Sequence, residues 1–436
     1  MKKTTLFTSS AFLLILGLTW GCQTPRSGLQ MEISNPAQFR LAEKPIRLTR
    51  KEVDPNTMWK DNQFPLIQTP SLDTLAAQLD DTDGDGQWDE LFFLVDLEPL
   101  QSKTFHLNWT TDSLSFEKRT QVRFGVRHSI EDIVHPATSD TFFPHELPGV
   151  NGYQPYQTDG PSWENDKVGF RHYLDGRNSK DVFGKKIAGM SPLDVGINAA
   201  GVTQDTYHVM ADWGRDILSV GTSLGIGGIS YLLGEDRLRR LGIVEGDPKG
   251  NVDSTQFRIL QNGPIRSLMT FDYYNWRPLD ENRTYSLQEK VEIWPGLYGY
   301  QNTITPKNLQ GDETLLVGLV NSRTKEALRV VYESDHWVAL TTHDKQTYEK
   351  EWWLGLGLVV PKSLYQGYFS APDTGRIATS YLAKLTIKPN TPLSYFALAY
   401  WELRDPKLID RAYFENQVKT FVQQMEVNPK VTLSYD

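Results

Sequence analysis

The apolar residues of this chain fall in short alternating runs rather than in helical stripes. In RTYSLQEKVEIW (residues 283–294), Tyr285, Leu287, Val291 and Ile293 alternate with Ser286, Gln288, Lys290 and Glu292, the period of two expected of a half-buried strand. Similar runs occur at QVRFGVRHS, RSLMTFDYYNW, TLLVGLVNS, HWVALTTH, WWLGLGLVV and SYFALAYWEL. Pro, Gly, Asn and Asp separate them, and no strand–helix–strand alternation is seen. The pattern therefore predicts antiparallel sheets packed face to face. One helical pattern stands out near the C-terminus, where Leu408, Ala412, Val418, Phe421, Val422 and Met425 recur at helical spacing behind Asp405 as a cap and Pro406 in the first turn. The expected fold is all-β: a large, supersandwich-like antiparallel β-sandwich with a smaller N-terminal β-domain and a C-terminal helix.

The extreme N-terminus follows a different pattern. Lys2 and Lys3 precede an apolar segment from Ala11 to Leu18, and Gly21 stands directly before Cys22. This is the form of a secretory signal, too short and too early for a spanning helix. Cys22 is the only cysteine, and its position is similar to that of a bacterial lipobox, although Trp20 is bulky and Thr19 stands where leucine is usual. The expected division is a lipoprotein signal peptide over 1–22, a polar tether over 23–30, an N-terminal β-domain over 31–118, and the sandwich with its helix over 119–436. A lipid on Cys22 would anchor the protein to a membrane in the periplasm or at the cell surface; without it the protein would be secreted. In either case no thiol remains for a disulfide or a nucleophile.

Charge and composition narrow the chemistry. Across 436 residues the net charge is −9 with no basic run, which excludes a nucleic-acid partner that needs its phosphates neutralised. Twelve Trp and nineteen Tyr offer flat apolar faces suited to sugar rings, although a large β-sandwich uses the same rings in its core.

The most conspicuous acidic stretch is DDTDGDGQWDE, residues 80–90. Asp81, Asp83, Asp85 and Gly86 supply the oxygen ligands and sharp turn of a calcium loop. The twelfth position from Asp81 is Phe92 rather than a bidentate Glu, and the run that follows is strand-like, so this is not an EF-hand. A hairpin loop closed by Asp89 around a structural Ca2+ is one reading, and a solvated acidic turn is the other. No His, Lys or Arg lies between Leu66 and Leu100, so the loop has no partner for acid–base work. No cofactor is required for the expected chemistry.

Chemistry is better placed in two later blocks. In WENDKVGFRHYLDGRNSKDVFGKK (residues 163–186), a strand at VGFRHYL puts Val168, Phe170, His172 and Leu174 on one face, and Arg171 and Tyr173 on the other. A guanidinium beside a phenol can begin a carboxylate site, or can be an ordinary surface strand. Arg177, Lys180, Lys185 and Lys186 add local positive charge. The second block, DTYHVMADWGRDILSVGTSLGIGG (residues 205–228), brings Tyr207 and His208 close to Asp212, Trp213, Arg215 and Asp216. Its imidazole is a candidate general base. The glycines at 221, 225, 227 and 228 lack the order of a phosphate loop and point to close strand packing. Neither a zinc pattern nor a serine nucleophile elbow is present, and His128, His135 and His145 lie in a loop-rich stretch.

Taken together, DGDGQWDELFF and these two blocks resemble a family of secreted bacterial proteins from polysaccharide-utilisation systems that includes the ulvan oligosaccharide dehydratase. The resemblance covers nearly all of the mature chain. It implies a hydro-lyase that eliminates water from a terminal uronic acid, leaving a 4,5-unsaturated uronyl end, with a uronic-acid-containing oligosaccharide as partner. On that basis Arg171, aided by Arg177 or Lys186, would neutralise the uronate carboxylate, His208 would take the C5 proton, and Tyr207 or Tyr173 would protonate the leaving hydroxyl. Trp163 or Trp213 would stack on a sugar ring, and Glu164, Arg215 and Asp216 would complete the site. A non-catalytic carbohydrate-binding lipoprotein, or a uronate lyase or epimerase on the same fold, remains open at this point.

Overall fold

The computed structural model describes residues 28–55, 59–146, 154–242, 250–279 and 281–435. The expected signal segment, Cys22 and most of the expected tether lie outside the described residues. The chain is all-β, as its pattern predicts. Its largest element is a nine-stranded antiparallel sheet in the order Ser139–Phe142, Ser254–Asn262, Ser267–Trp276, Tyr285–Ile293, Gly299–Lys307, Leu393–Trp401, Leu354–Pro361, Trp337–Asp344 and Arg329–Glu333. Two five-stranded sheets share one core with it. One runs from Arg237–Arg240 through Ile226–Leu233 and Glu313–Val320 to Ser380–Thr386 and Tyr365–Ser370. The other, which carries the site described below, has the order Gly214–Asp216, Lys180–Lys185, Gly169–His172, Ser162–Asn165 and Thr120–Arg123.

Strands Leu393–Trp401 and Leu354–Pro361 of the large sheet are covered on both faces, which is why their sequences are continuously apolar rather than alternating. In Leu393–Trp401, Ala397 and Ala399 enter the core shared with the five-stranded sheets, whereas Phe396, Leu398 and Tyr400 enter a second core. That second core holds the N-terminal sheets and, from the C-terminal helix Arg411–Glu426, Phe414, Val418 and Val422. Buried Arg266 ties the N-terminal layer to the sandwich, reaching Asp80 at 2.9 Å and Glu292 at 3.0 Å and also pairing with Glu90.

Two expectations change. The residues from Asp405 onward form a short 3-10 turn, Pro406–Ile409, capped by Asp405, and the α-helix starts afresh behind Asp410, whose side chain accepts from the Tyr413 amide. The division at 118/119 is not a division of packing. Strand Lys430–Tyr435 pairs in register with Leu29–Ser34, Leu29 opposite Tyr435, so the end of the chain completes the N-terminal sheet. The pattern KVTLSY is too short and too weakly apolar to announce this edge strand beforehand.

Candidate active site

The site begins with strand register. Arg171 on Gly169–His172 lies directly opposite Asp181 on Lys180–Lys185. Asp216 pairs with Phe183 on the far side of that strand, two residues from Asp181 and so on the same face. The third strand can dock so closely because two glycines meet there: a Cβ on Gly214 would fall 1.8 Å from the Gly184 carbonyl oxygen. Register thus delivers one guanidinium between two carboxylates. Arg171 Nη2 pairs with Asp181 and, at 2.6 Å, with Asp216, and it donates to the Tyr173 hydroxyl. Its Nη1 reaches Asp159 at 3.4 Å. The rings of Tyr173, Phe183 and Tyr207 pack around it.

Above this buried cluster opens a cleft of about 390 Å³, lined among others by Asp159, Tyr173, Asp175, Arg177, Gln204, Asp205, Tyr207, His208, Asp216, Gly221 and Tyr348. His208 stands half-exposed in it. Its Nε2 lies 3.0 Å from Asp205 and its Nδ1 3.3 Å from Asp216. The hydrogen bond to Asp205 and the charge of Asp216 hold the imidazole above its ordinary pKa, against its partial burial. Asp216 itself is pushed up to about 7, first by burial and then by the neighbouring Asp181. An imidazole and a buried carboxylate in contact, each held above its ordinary pKa, form a pair that can share a proton. Tyr207 donates to Asp159 at 2.7 Å and Tyr173 to Asp181 at 2.8 Å. Burial raises the pKa of both phenols, so they stay protonated and serve as donors. Burial also raises Asp159, which sits on a 3-10 turn with Thr158 and Asp159 both at positive φ (52° and 61°). Successive left-handed non-glycine residues are strained, and here the strain aims a carboxylate into the cleft.

Five of the expected side chains line this cleft, namely Tyr173, Arg177, Tyr207, His208 and Asp216; the others do not. Arg171 is fully buried and already paired with three carboxylates, so it cannot meet a substrate carboxylate; it organises the site from behind. Arg177 takes the open position: it lines the cleft, is bonded to Asp175 and to the Gly221 carbonyl, and lies over the Tyr173 ring. Trp163, 1% exposed, is packed between Phe170 and Tyr300 in the core, and Trp213 is buried beside Phe183, so neither is a sugar platform. Glu164 is buried with Arg123 and Lys185 and accepts from the Ser191 amide. Lys186 points its ammonium at the Ala211 carbonyl, and Arg215 pairs with Glu351. His128, His135 and His145 are exposed and do not line the cleft. Gly225 has the packing role expected of the glycines, since a Cβ there would fall 1.8 Å from the Lys180 carbonyl oxygen, whereas Gly221 faces open space and owes its place to a left-handed φ of 55°.

Sequence reasoning passed over Asp159, Asp175, Asp205 and Tyr348. Asp205 was within reach, three residues ahead of His208 in the same block; Asp159 and Tyr348 come from distant loops that only the fold brings together. In the acidic stretch, carboxylate oxygens of Asp81, Asp83 and Asp89 lie within 4.8 Å of one another, while Asp85 is outside that group and accepts from the Gln87 amide. Three converging carboxylates suit a hard cation, although Asp81 already accepts from the Gly84 and Gly86 amides.

Fold and cleft together define an all-β protein equipped for proton transfer by a histidine and carboxylates. The chain belongs to the family described as "Domain of unknown function (DUF4861)", whose pattern matches residues 33–431. It is 21% identical over 419 residues to a protein of Formosa agariphila described as "Uncharacterized protein P7", covering 92% of each. Among solved structures it is similar to an alpha-mannosidase from Enterococcus faecalis V583 (TM-score 0.49, 10% identity, 94% of this chain and 46% of that one). It is also similar to a protein in the Glycosyl Hydrolase Family 38 from Enterococcus faecalis (TM-score 0.45, 10% identity, 94% and 48%). The chain spans less than half the length of these two structures.

Proposed function

We propose that the protein is a hydro-lyase acting on the uronic-acid end of an oligosaccharide, anchored at the cell envelope through Cys22, with the cleft around His208 as its active site. The observation that carries this reading is the half-exposed imidazole whose inner nitrogen rests on buried Asp216. The C5 proton of a uronate is very weakly acidic because the carboxylate beside it is already charged. Removing it therefore needs a cation on the carboxylate and a base on the proton. Arg177 provides the first at the cleft wall, in the role expected of Arg171. Neutral His208 provides the second, with Asp216 and Asp205 stabilising the imidazolium that forms. The C4 hydroxyl departs as water only if protonated, and the Tyr207 phenol supplies that proton by turning its O–H from Asp159 to the substrate. The C5–H bond breaks to His208, its electron pair forms the C4–C5 double bond, and the C4–O bond breaks with a proton from Tyr207. Because His208 must be neutral to act and its pKa is raised, turnover should rise with pH, at higher pH than an ordinary imidazole would require.

No cofactor takes part in these steps. The group Asp81, Asp83 and Asp89 is proposed as a structural Ca2+ site remote from the chemistry. The test is to incubate the purified protein, with and without chelator, with a panel of uronate-ended oligosaccharides and to weigh the products. Loss of one water mass together with the ultraviolet absorbance of a conjugated double bond is expected. Unchanged masses would leave a binding protein or an epimerase, and a cut chain would mean a lyase.

A further inference from the structure

Tyr348 and Arg323 stand together at the mouth of the cleft, and neither has a part in the proton transfers above. Tyr348 is the exposed aromatic among the lining residues, 47% exposed, whereas Tyr156, Tyr173 and Tyr207 are buried. Its loop is held firmly: the Tyr348 amide donates to the Ile217 carbonyl at 2.9 Å, and Thr347 bonds Glu351 at 2.7 Å. The ring centre lies 6.3 Å from that of the His208 ring and 5.6 Å from the Arg323 guanidinium. Arg323 is brought there by the turn after strand Glu313–Val320, where Ser322 donates to the carbonyl of Ser219 in the cleft wall.

Arg323 is unusual among the guanidiniums near the site. Arg171, Arg177 and Arg215 are each paired with a carboxylate. Among the described residues Arg323 has no ion pair or side-chain hydrogen bond, and its Nε is buried without a partner. A half-buried cation held only by an aromatic face, in a chain of net charge −9, keeps its planar fork free for an anion. An exposed ring beside it offers an apolar surface to a sugar.

We infer that Tyr348 and Arg323 form a second sugar subsite, in which the ring stacks on the residue next to the reacting uronate and the guanidinium holds an anionic substituent of that residue, a sulfate ester or a carboxylate. This rests on the reading of the cleft as a uronate site, and it makes the substrate an oligosaccharide charged on two successive sugars. With Arg177 at the inner end and Arg323 at the mouth, the two cations set the direction in which the chain enters past Asp159, Asp175 and Asp205.

Three disaccharides with a terminal glucuronate test it, the neighbouring sugar being sulfated, carboxylated or unsubstituted. For Arg323→Gln, KM should rise about tenfold on whichever anionic disaccharide the subsite takes, with kcat unchanged and with no change on the unsubstituted one. Tyr348→Ala should raise KM on all three by a larger factor than on a lone glucuronate, and Tyr348→Phe should restore it. Added salt should erase the difference between wild type and Arg323→Gln. Equal effects of Arg323→Gln on charged and neutral neighbours, or none on either anion, would overturn the inference. Calorimetric affinities for the same sugars repeat the test without turnover, so a wild type that binds the anionic disaccharide through Arg323 but eliminates no water would refute the hydro-lyase reading and keep the subsite.

Discussion

Two regions of this protein gather carboxylates, and they do opposite things with them. In the stretch from Asp80 to Glu90, the carboxylates of Asp81, Asp83 and Asp85 lie at the surface and are answered by backbone amides of their own loop. Asp81 is held below its ordinary pKa: its slight burial opposes this, but the amides of Gly86 and Gly84 outweigh it. Around Arg171 the carboxylates of Asp181 and Asp216 are buried, share one guanidinium, and leave Asp216 titrating near neutrality. The density of acid is similar; the burial is not. Removal from water and a like charge close by turn a carboxylate into a group that exchanges protons at working pH, whereas amides in an open loop only keep it ionised.

The largest way to break this contrast is at the imidazole. His208→Ala should lower kcat/KM on a uronate-ended oligosaccharide by ~10²–10⁴-fold, the usual worth of a positioned base, while the thermal midpoint stays close to wild type because the ring is half-exposed. Steady-state kinetics alongside a melting curve checks both halves. Next comes the buried cation: Arg171→Met leaves Asp181 and Asp216 facing each other without the guanidinium they share and should cost about 3–5 kcal/mol in urea unfolding. Asp83→Ala in the acidic loop should cost no more than about 0.5 kcal/mol. Equal losses would remove the distinction between the regions.

A finer probe is Asp181→Asn, which removes the like charge that helps burial to raise Asp216. The inflection that Asp216 contributes near neutral pH should then move to lower pH in the kcat/KM profile, and a shift to higher pH would mean that another group titrates there. The smallest effect is on the loop as a metal site. Excess calcium should raise the melting midpoint of the wild type by a few degrees at most and that of Asp83→Ala not at all, since a ligand stabilises only the form that binds it. Turnover should be the same with and without chelator.

Much of this architecture is legible in the chain. The alternation in residues 283–294 announces a strand found at Tyr285–Ile293, and the continuous run SYFALAYWEL marks a strand covered on both faces. The pairing of Arg171 with Tyr173 follows from their two-residue spacing. What alternation cannot give is depth. The same pattern that puts Arg171 and Tyr173 on one face does not say that this face is roofed by the Tyr207 ring and by the turn that carries Asp159. That roof is why Arg171 became an internal counter-charge and Arg177, on a turn, took the exposed role. Trp163 and Trp213 misled for the same reason, because an indole reads alike in a core and on a platform. The exposed ring, Tyr348, came from the loop between Trp337–Asp344 and Leu354–Pro361, far away in sequence and recognisable only after folding.

The central claim is that His208 removes the C5 proton of a terminal uronate in this cleft. It is tested most directly with an oligosaccharide carrying deuterium at C5 of that residue, incubated with wild type and with His208→Ala and analysed by mass spectrometry. Wild type should yield a product that has lost one water and no longer carries the label, and His208→Ala should leave the sugar as it was. A dehydrated product that retains deuterium, or label loss at the wild-type rate in His208→Ala, would contradict the claim.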